Sequence, residues 1–162
     1  VWLGEVCRDL TALGSHLAVT AAALVVAGAL TLRGAPGLAV RLLATLAGAH
    51  ALAAVLKASV ARPRPELVPR LAEVFTASFP SAHALLPAAL YPLLAWLCTR
   101  EAPAPALRRY AVGVALLLVL LVGTSRVVLG VHYATDVLAG WALGAGWTCA
   151  LWALAGPARR SG

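Results

Sequence analysis

Apolar runs long enough to cross a bilayer as a helix of ~20 residues alternate along the chain with short polar stretches. Five such segments are read at residues 16–33, 39–60, 82–99, 110–126 and 136–155. Gly14-Ser15 and Arg33-Gly34 bound the first and Pro36-Gly37 precedes the second, so these two form a short helical hairpin. The third opens at Pro80-Ser81, with Ser81 as its N-cap, and carries Pro87 and Pro92, which membrane helices tolerate better than soluble ones. The fourth is an almost unbroken Val/Leu run. The fifth contains Gly140, Gly144 and Gly146, small residues that let helices approach closely. Residues 1–15 mix Trp2, Glu5, Arg8 and Asp9 with apolar positions and read as an interfacial lead-in. The predicted fold is all-α, a polytopic transmembrane helix bundle with five spans, and residues 1–162 form a single membrane-embedded domain.

Composition agrees with a bilayer: 62% of residues are hydrophobic and only 12% are charged. The net charge of +7 does not point to nucleic acid, because the basic residues sit between or beside the apolar runs rather than on one solvated face. Cys7, Cys98 and Cys149 are odd in number and lack metal-ligand spacing, so neither a disulfide framework nor a zinc site is predicted. Met is absent and the sequence opens at Val1, so a further span upstream is expected.

Alternating the spans places the loops at 61–80 and 127–135 on one side, and those at 33–38 and 100–109 with the C-terminus on the other. Arg33, Arg41, Arg100, Arg108, Arg109, Arg159 and Arg160 gather on the second side; Arg8, Lys57, Arg62, Arg64, Arg70 and Arg126 belong to the first. Lys57, Arg64 and Arg126 are part of a polar constellation, which leaves three free basic residues against seven and places the second side in the cytoplasm. The 61–80 and 127–135 loops then face the extracytoplasmic side.

That constellation lines the outward ends of the spans: Lys57, Arg64-Pro65, Pro80-Ser81-Ala82-His83, Ser125-Arg126, His132 and Asp136. Ionisable groups are costly beside a membrane unless paired or solvated, so their convergence marks a functional site. Phosphoryl transfer asks for positioned positive charge around three oxygens, a nucleophile, and an acid for the leaving group. Lys57, Arg64 and Arg126 supply charge, Ser81 a hydroxyl, and the N–H groups near Ser81 and Ala82 the donors of a helix N-terminus. Pro63 and Pro65 hold the intervening chain extended, which lets Arg64 turn back over Lys57. His132 and Asp136 lie four apart and share a helical face, where the carboxylate can fix the imidazole tautomer of a nucleophile. His83 remains as the acid for the departing oxygen.

In order and spacing these residues resemble the signature of the type 2 phosphatidic acid phosphatase superfamily: K-x6-R-P, then P-S-G-H, then S-R-x5-H-x3-D. Lys57 to Arg64-Pro65 and Ser125-Arg126 to His132 to Asp136 fit the first and third parts; the second reads Pro80-Ser81-Ala82-His83, with Ala82 in place of Gly. The resemblance covers roughly residues 50–155, the catalytic core. It implies His132 as nucleophile forming a phosphohistidine, Asp136 as its partner and His83 as general acid. Lys57, Arg64, Ser81, Ala82 and Arg126 would bind phosphate. It also implies no metal and no other cofactor, and a core of six helices, the first of them upstream of Val1.

The implied function is an integral-membrane lipid phosphatase or diphosphatase acting on a lipid phosphate monoester or a polyprenyl diphosphate, with recycling of the latter favoured by an outward site. Its partners are the lipid phosphate substrate and membrane lipids. Two other classes use the same residues: a non-catalytic protein that binds or transports an anionic lipid, which Ala82 supports, and a lipid phosphotransferase that passes phosphate to an alcohol. Outside the signature, His50 reads as a helix-packing donor and His16 as an interfacial residue, with Arg62 and Arg70 as solvated loop charges in preference to attractors of an anionic head group. Trp96, Trp141, Trp147 and Trp152 read as interface anchors or packing.

Overall fold

The computed structural model describes residues 2–66 and 76–155. Arg70, Arg159 and Arg160 lie outside the described residues, as do residues 67–75 of the loop at 61–80. Among the described residues six helices follow in order: α1 (Trp2–Ala12), α2 (His16–Leu32), α3 (Pro36–Val60), α4 (Ala82–Thr99), α5 (Pro105–Val128) and α6 (Ala134–Leu154). The five spans appear as expected, with α1 and α2 together forming the first. α3 and α5 begin earlier than the apolar pattern suggested, because Pro36 and Pro105 occupy the first helical position, where a missing N–H costs nothing. Ser15 caps α2 by accepting the Ala18 N–H at 3.2 Å.

α4 is the centre of the bundle and packs against α2, α3, α5 and α6. It runs unbroken through Pro87 and Pro92. Leu85, Leu86 and Leu90 are fully buried, and the core they belong to extends through Val19, Leu42 and Ala49 of the α2–α3 hairpin. The outer faces carry exposed Val25, Leu32, Leu117 and Leu154, as helices facing hydrocarbon do. α6 meets α4 through Gly140 and Gly144: a methyl at Gly144 would overlap the Leu85 carbonyl oxygen, and one at Gly140 would come within 2.8 Å of the Ser81 carbonyl oxygen. Gly146, expected to help the same approach, faces open space instead, because it points away from α4.

Within the lead-in at residues 1–15, Trp2–Ala12 forms a helix packed along α5, with Gly4, Cys7 and Thr11 turned inward. Cys7 meets Leu129 and Val131 in a small apolar cluster of its own. α1 thereby braces the end of α5 from which the polar constellation hangs.

Candidate active site

Antiparallel alternation brings the end of α3, the start of α4, the end of α5 and the start of α6 to one end of the bundle. Each junction has its own local cause. α3 stops at Ala61, a left-handed residue (φ 45°, ψ 34°) whose N–H reaches Lys57 O at 3.1 Å. The chain then runs extended through Arg62-Pro63-Arg64-Pro65. α5 stops at Gly130 (φ 69°): its N–H donates to Val127 O, and the Val131 N–H to Arg126 O, the paired bonds of a Schellman turn. Glycine takes this conformation without strain, and the turn folds Val131 and His132 back over the bundle.

His132 is 3% exposed and Asp136 fully buried. The His132 Nδ1 lies 3.5 Å from Asp136 Oδ2. Its Nε2 lies 3.2 Å from Arg64 Nη1, a group that can only donate, so Nε2 carries the lone pair and Nδ1 the proton. Burial, then Arg64, Arg126, Lys57 and His83, push the imidazole well below its ordinary pKa of 6.5, which keeps that lone pair free. The carboxylate of Asp136 is held by three donors: Ser78 Oγ at 2.5 Å and the Tyr133 N–H at 3.0 Å on Oδ2, and Arg62 Nη1 at 2.8 Å on Oδ1.

Three consecutive residues that the motif reading passed over, Thr76, Ala77 and Ser78, organise the cluster. The Thr76 carbonyl accepts Arg64 Nε at 2.7 Å and its hydroxyl accepts Nη2 at 3.2 Å; Arg64 Nη1 also donates to Val131 O at 2.7 Å. The Ala77 carbonyl accepts Lys57 Nζ at 2.6 Å. Ser78 Oγ reaches Asp136 and stands 3.4 Å from His132 Nδ1. Thr11 of α1 was also missed; its hydroxyl accepts Arg126 Nη1 at 2.9 Å. Nothing in the spacing of Thr11 or Thr76–Ser78 marks them, although a small polar residue just before Pro80-Ser81 is a weak hint.

Ser81 is the N-cap residue of α4 as expected, but its side chain makes no capping bond. Its Oγ and the Nε of Arg126 are buried without a hydrogen-bond partner among the described residues. Two such donors, beside a helix N-terminus that starts at Ala82, suit an oxyanion. His83 sits half-buried in the first turn of α4 and is the last of the groups whose charge lowers the His132 pKa. The structure therefore brings together every residue of the constellation, Lys57, Arg64, Ser81, Ala82, His83, Arg126, His132 and Asp136.

Among residues outside it, Arg62 differs from its reading as a solvated charge: it pairs with Asp136 and lies 4.1 Å from the centre of the Tyr133 ring. His16 and His50 meet with ring centres 5.0 Å apart and planes tilted by 45°, and His50 Nδ1 contacts Leu46 O, which keeps it in helix packing. Among the described residues no three His, Cys, Asp or Glu side chains gather as a metal ligand set.

A membrane-spanning helical bundle with two buried arginines, Arg64 and Arg126, and a His/Asp pair at one end defines a class of integral-membrane enzyme. The PAP2 superfamily model matches residues 38–160, and the chain belongs to that superfamily. Phosphatidylglycerophosphatase B of Bacillus subtilis is 32% identical over 144 residues, 88% of this chain and 70% of that protein. Decaprenylphosphoryl-5-phosphoribose phosphatase of Mycolicibacterium smegmatis is 43% identical over 95 residues, 57% of this chain and 46% of that protein, so the match spans about half the relative's length. The crystal structure of a transmembrane PAP2-type phosphatidylglycerolphosphate phosphatase from Bacillus subtilis superposes with a TM-score of 0.87 at 31% identity, covering 99% of this chain and 80% of that one. These relatives are phosphatases of lipid phosphates, and this chain is an integral membrane protein of the same kind.

Proposed function

We propose that the chain, acting as one membrane-embedded unit, hydrolyses a lipid phosphate monoester or a polyprenyl diphosphate through a phosphohistidine on His132, without a metal. The observation that carries this reading is the orientation of the His132 ring, with Nδ1 toward Asp136 and Nε2 toward the cations. Nε2 attacks phosphorus as the bond to the lipid oxygen breaks; His83 gives that oxygen its proton. Asp136 supports the positive ring through Nδ1–H, and Lys57, Arg64 and Arg126 hold the phosphoryl oxygens together with Ser81 and the first N–H groups of α4. Water then attacks the phosphohistidine, His83 takes back a proton, and phosphate leaves with Nε2 restored. The relatives named above act on phosphatidylglycerophosphate or a decaprenyl phosphosugar, which supports a long-chain lipid here.

Purified protein given a panel of lipid phosphates in detergent is expected to release phosphate after chelator treatment and to form an acid-labile phosphoenzyme. An inert chelated protein restored by magnesium would overturn the metal-free route, and transfer to an added alcohol in place of release would make it a phosphotransferase. The asymmetry of basic residues, seven on one side against Arg8 and Arg70 on the other once Arg62 is counted with Asp136, supports an extracytoplasmic site. A cysteine introduced within 66–74, in a background without native cysteines, should react with an impermeant thiol reagent in intact cells. Labelling only after lysis would invert the orientation.

A further inference from the structure

Arg62, Ser78 and Asp136 form a closed ring. The Ser78 N–H donates to the Arg62 carbonyl at 2.8 Å, Ser78 Oγ donates to Asp136 Oδ2 at 2.5 Å, and Arg62 Nη1 donates to Asp136 Oδ1 at 2.8 Å. Arg62 is further fixed by a bond from Nη1 to Thr135 Oγ1 at 2.9 Å and by its stacking on Tyr133. A guanidinium at the N-terminus of α6 sits against the helix dipole, which favours anions there, so its position answers to Asp136 rather than to the helix. The ring also bears on the histidine. The Ser78 hydroxyl gives its single proton to Asp136 and turns a lone pair toward His132 Nδ1, 3.4 Å away, while the direct separation of Nδ1 from the carboxylate is 3.5 Å. The support that Asp136 lends to His132 therefore depends on where Arg62 and Ser78 hold the carboxylate.

We infer that Arg62 and Ser78 are positioning residues for the phosphoryl-transfer step, clasping Asp136 from its two oxygens and setting the orientation of His132 through it. This rests on the reading of His132 as nucleophile. Neither residue is placed on the substrate: Arg62 faces Asp136, Thr135 and Tyr133, and Ser78 is buried between Asp136 and His132. Both clasp contacts end on the one carboxylate, so losing either should be felt in the chemical step and should be redundant once the carboxylate is gone. Arg and Lys differ here, since both hydrogen bonds leave Nη1 while the planar guanidinium lies over the Tyr133 ring, and a lysine ammonium offers donors without that plane.

The test follows phosphoenzyme formation in the first turnover with an aryl phosphate, whose good leaving group keeps slow variants measurable, in detergent-purified full-length protein. R62Q and S78A are expected to lower the saturating rate by about 10- to 100-fold, the range lost when outer-shell partners of a functional side chain are removed, with KM changed little. R62K should recover part of that loss. In a D136N background, R62Q and S78A should add almost nothing. Equal losses in the presence and absence of the Asp136 carboxylate would overturn the inference, as would an R62Q variant with a raised KM and an unchanged saturating rate, which would put Arg62 on the substrate. S78A removes only a hydroxyl, so it decides the matter if R62Q fails to fold. Wild-type protein that turns over without any phosphoenzyme would instead sink the nucleophile reading, a failure distinct from that of the clasp.

Discussion

Around the first turn of α4, almost every polar atom is committed: Arg64, Lys57, Ser78 and Asp136 each have named partners, and Ser81 Oγ and Arg126 Nε are the buried exceptions. Around its later turns the same helix helps wall an apolar hollow of about 640 Å³ between α4, α5 and α6, lined among others by Trp96, Val119, Trp141 and Trp152. Donors occur there too, but they turn away from the hollow: Trp141 Nε1 to Val119 O, Thr148 Oγ1 to Ala89 O and Trp152 Nε1 to Thr45 Oγ1. One region leaves two buried donors for an anion; the other hides its donors and presents hydrocarbon. Substitutions at the polar end should therefore register in the chemistry, and those in the packed apolar half should register in stability.

The sharpest break is expected from His132→Ala and Arg126→Ala, which should abolish turnover while the melting temperature in detergent stays near that of the parent. A His132 variant with normal turnover would remove the polar end from the chemistry. Next comes His83→Ala, which should slow first-turnover cleavage of an alkyl phosphate by about 100-fold, since an alkoxide needs a proton to depart. Cleavage of an aryl phosphate should change far less. Equal losses for both esters would take the acid's role from His83.

Gly144→Ala tests the other half. Its methyl would overlap the Leu85 carbonyl oxygen, so α4 and α6 must separate, at a cost of about 1–3 kcal/mol read from denaturation in detergent. The chemical rate of the folded fraction should be nearly unchanged. A large rate loss without destabilisation would mean that the two regions are coupled through α4.

Acid sharpens the contrast. His132 stays neutral in the fold because burial, with Arg64, Arg126, Lys57 and His83, lowers its pKa from 6.5, whereas the unfolded chain takes up a proton below that pH. Its contribution to stability is thus full above the unfolded pKa and is lost as pH falls below it, by up to about 1.4 kcal/mol per pH unit. The fall in melting temperature between about pH 7 and about pH 5 should be steeper for the parent than for His132→Asn; equal slopes would show that the ring is not held neutral. The smallest effect is expected at Ala61, whose positive φ strains an L residue. Ala61→Gly should stabilise by up to about 1 kcal/mol, less the extra entropy glycine has when unfolded, and an unchanged or lower melting temperature would show that entropy outweighs the relief.

The five spans, and the gathering of the eight residues from Lys57 to Asp136 at one end of the bundle, were legible in the chain. Crossing a bilayer demands length and hydrophobicity that no other fold requires, and charges at span ends stand out against them. Arg62 was misjudged because a loop arginine looks the same in sequence whether it is solvated or paired, and its partner lies 74 positions away. Thr11, Thr76 and Ser78 were invisible for a related reason: Thr11 meets Arg126 only because α1 packs along α5, and the carbonyls of Thr76 and Ala77 bind cations through backbone atoms that carry no residue identity. The small-residue pattern on α6 could not say that Gly140 and Gly144 face α4 while Gly146 does not, since that depends on the rotation of one helix against another. Periodicity and local chemistry are written along the chain, so they determined the helices and which polar residues meet at one end. Which donor holds which oxygen is decided between segments distant in sequence, and only their packing brought Arg62 and Ser78 onto the carboxylate of Asp136.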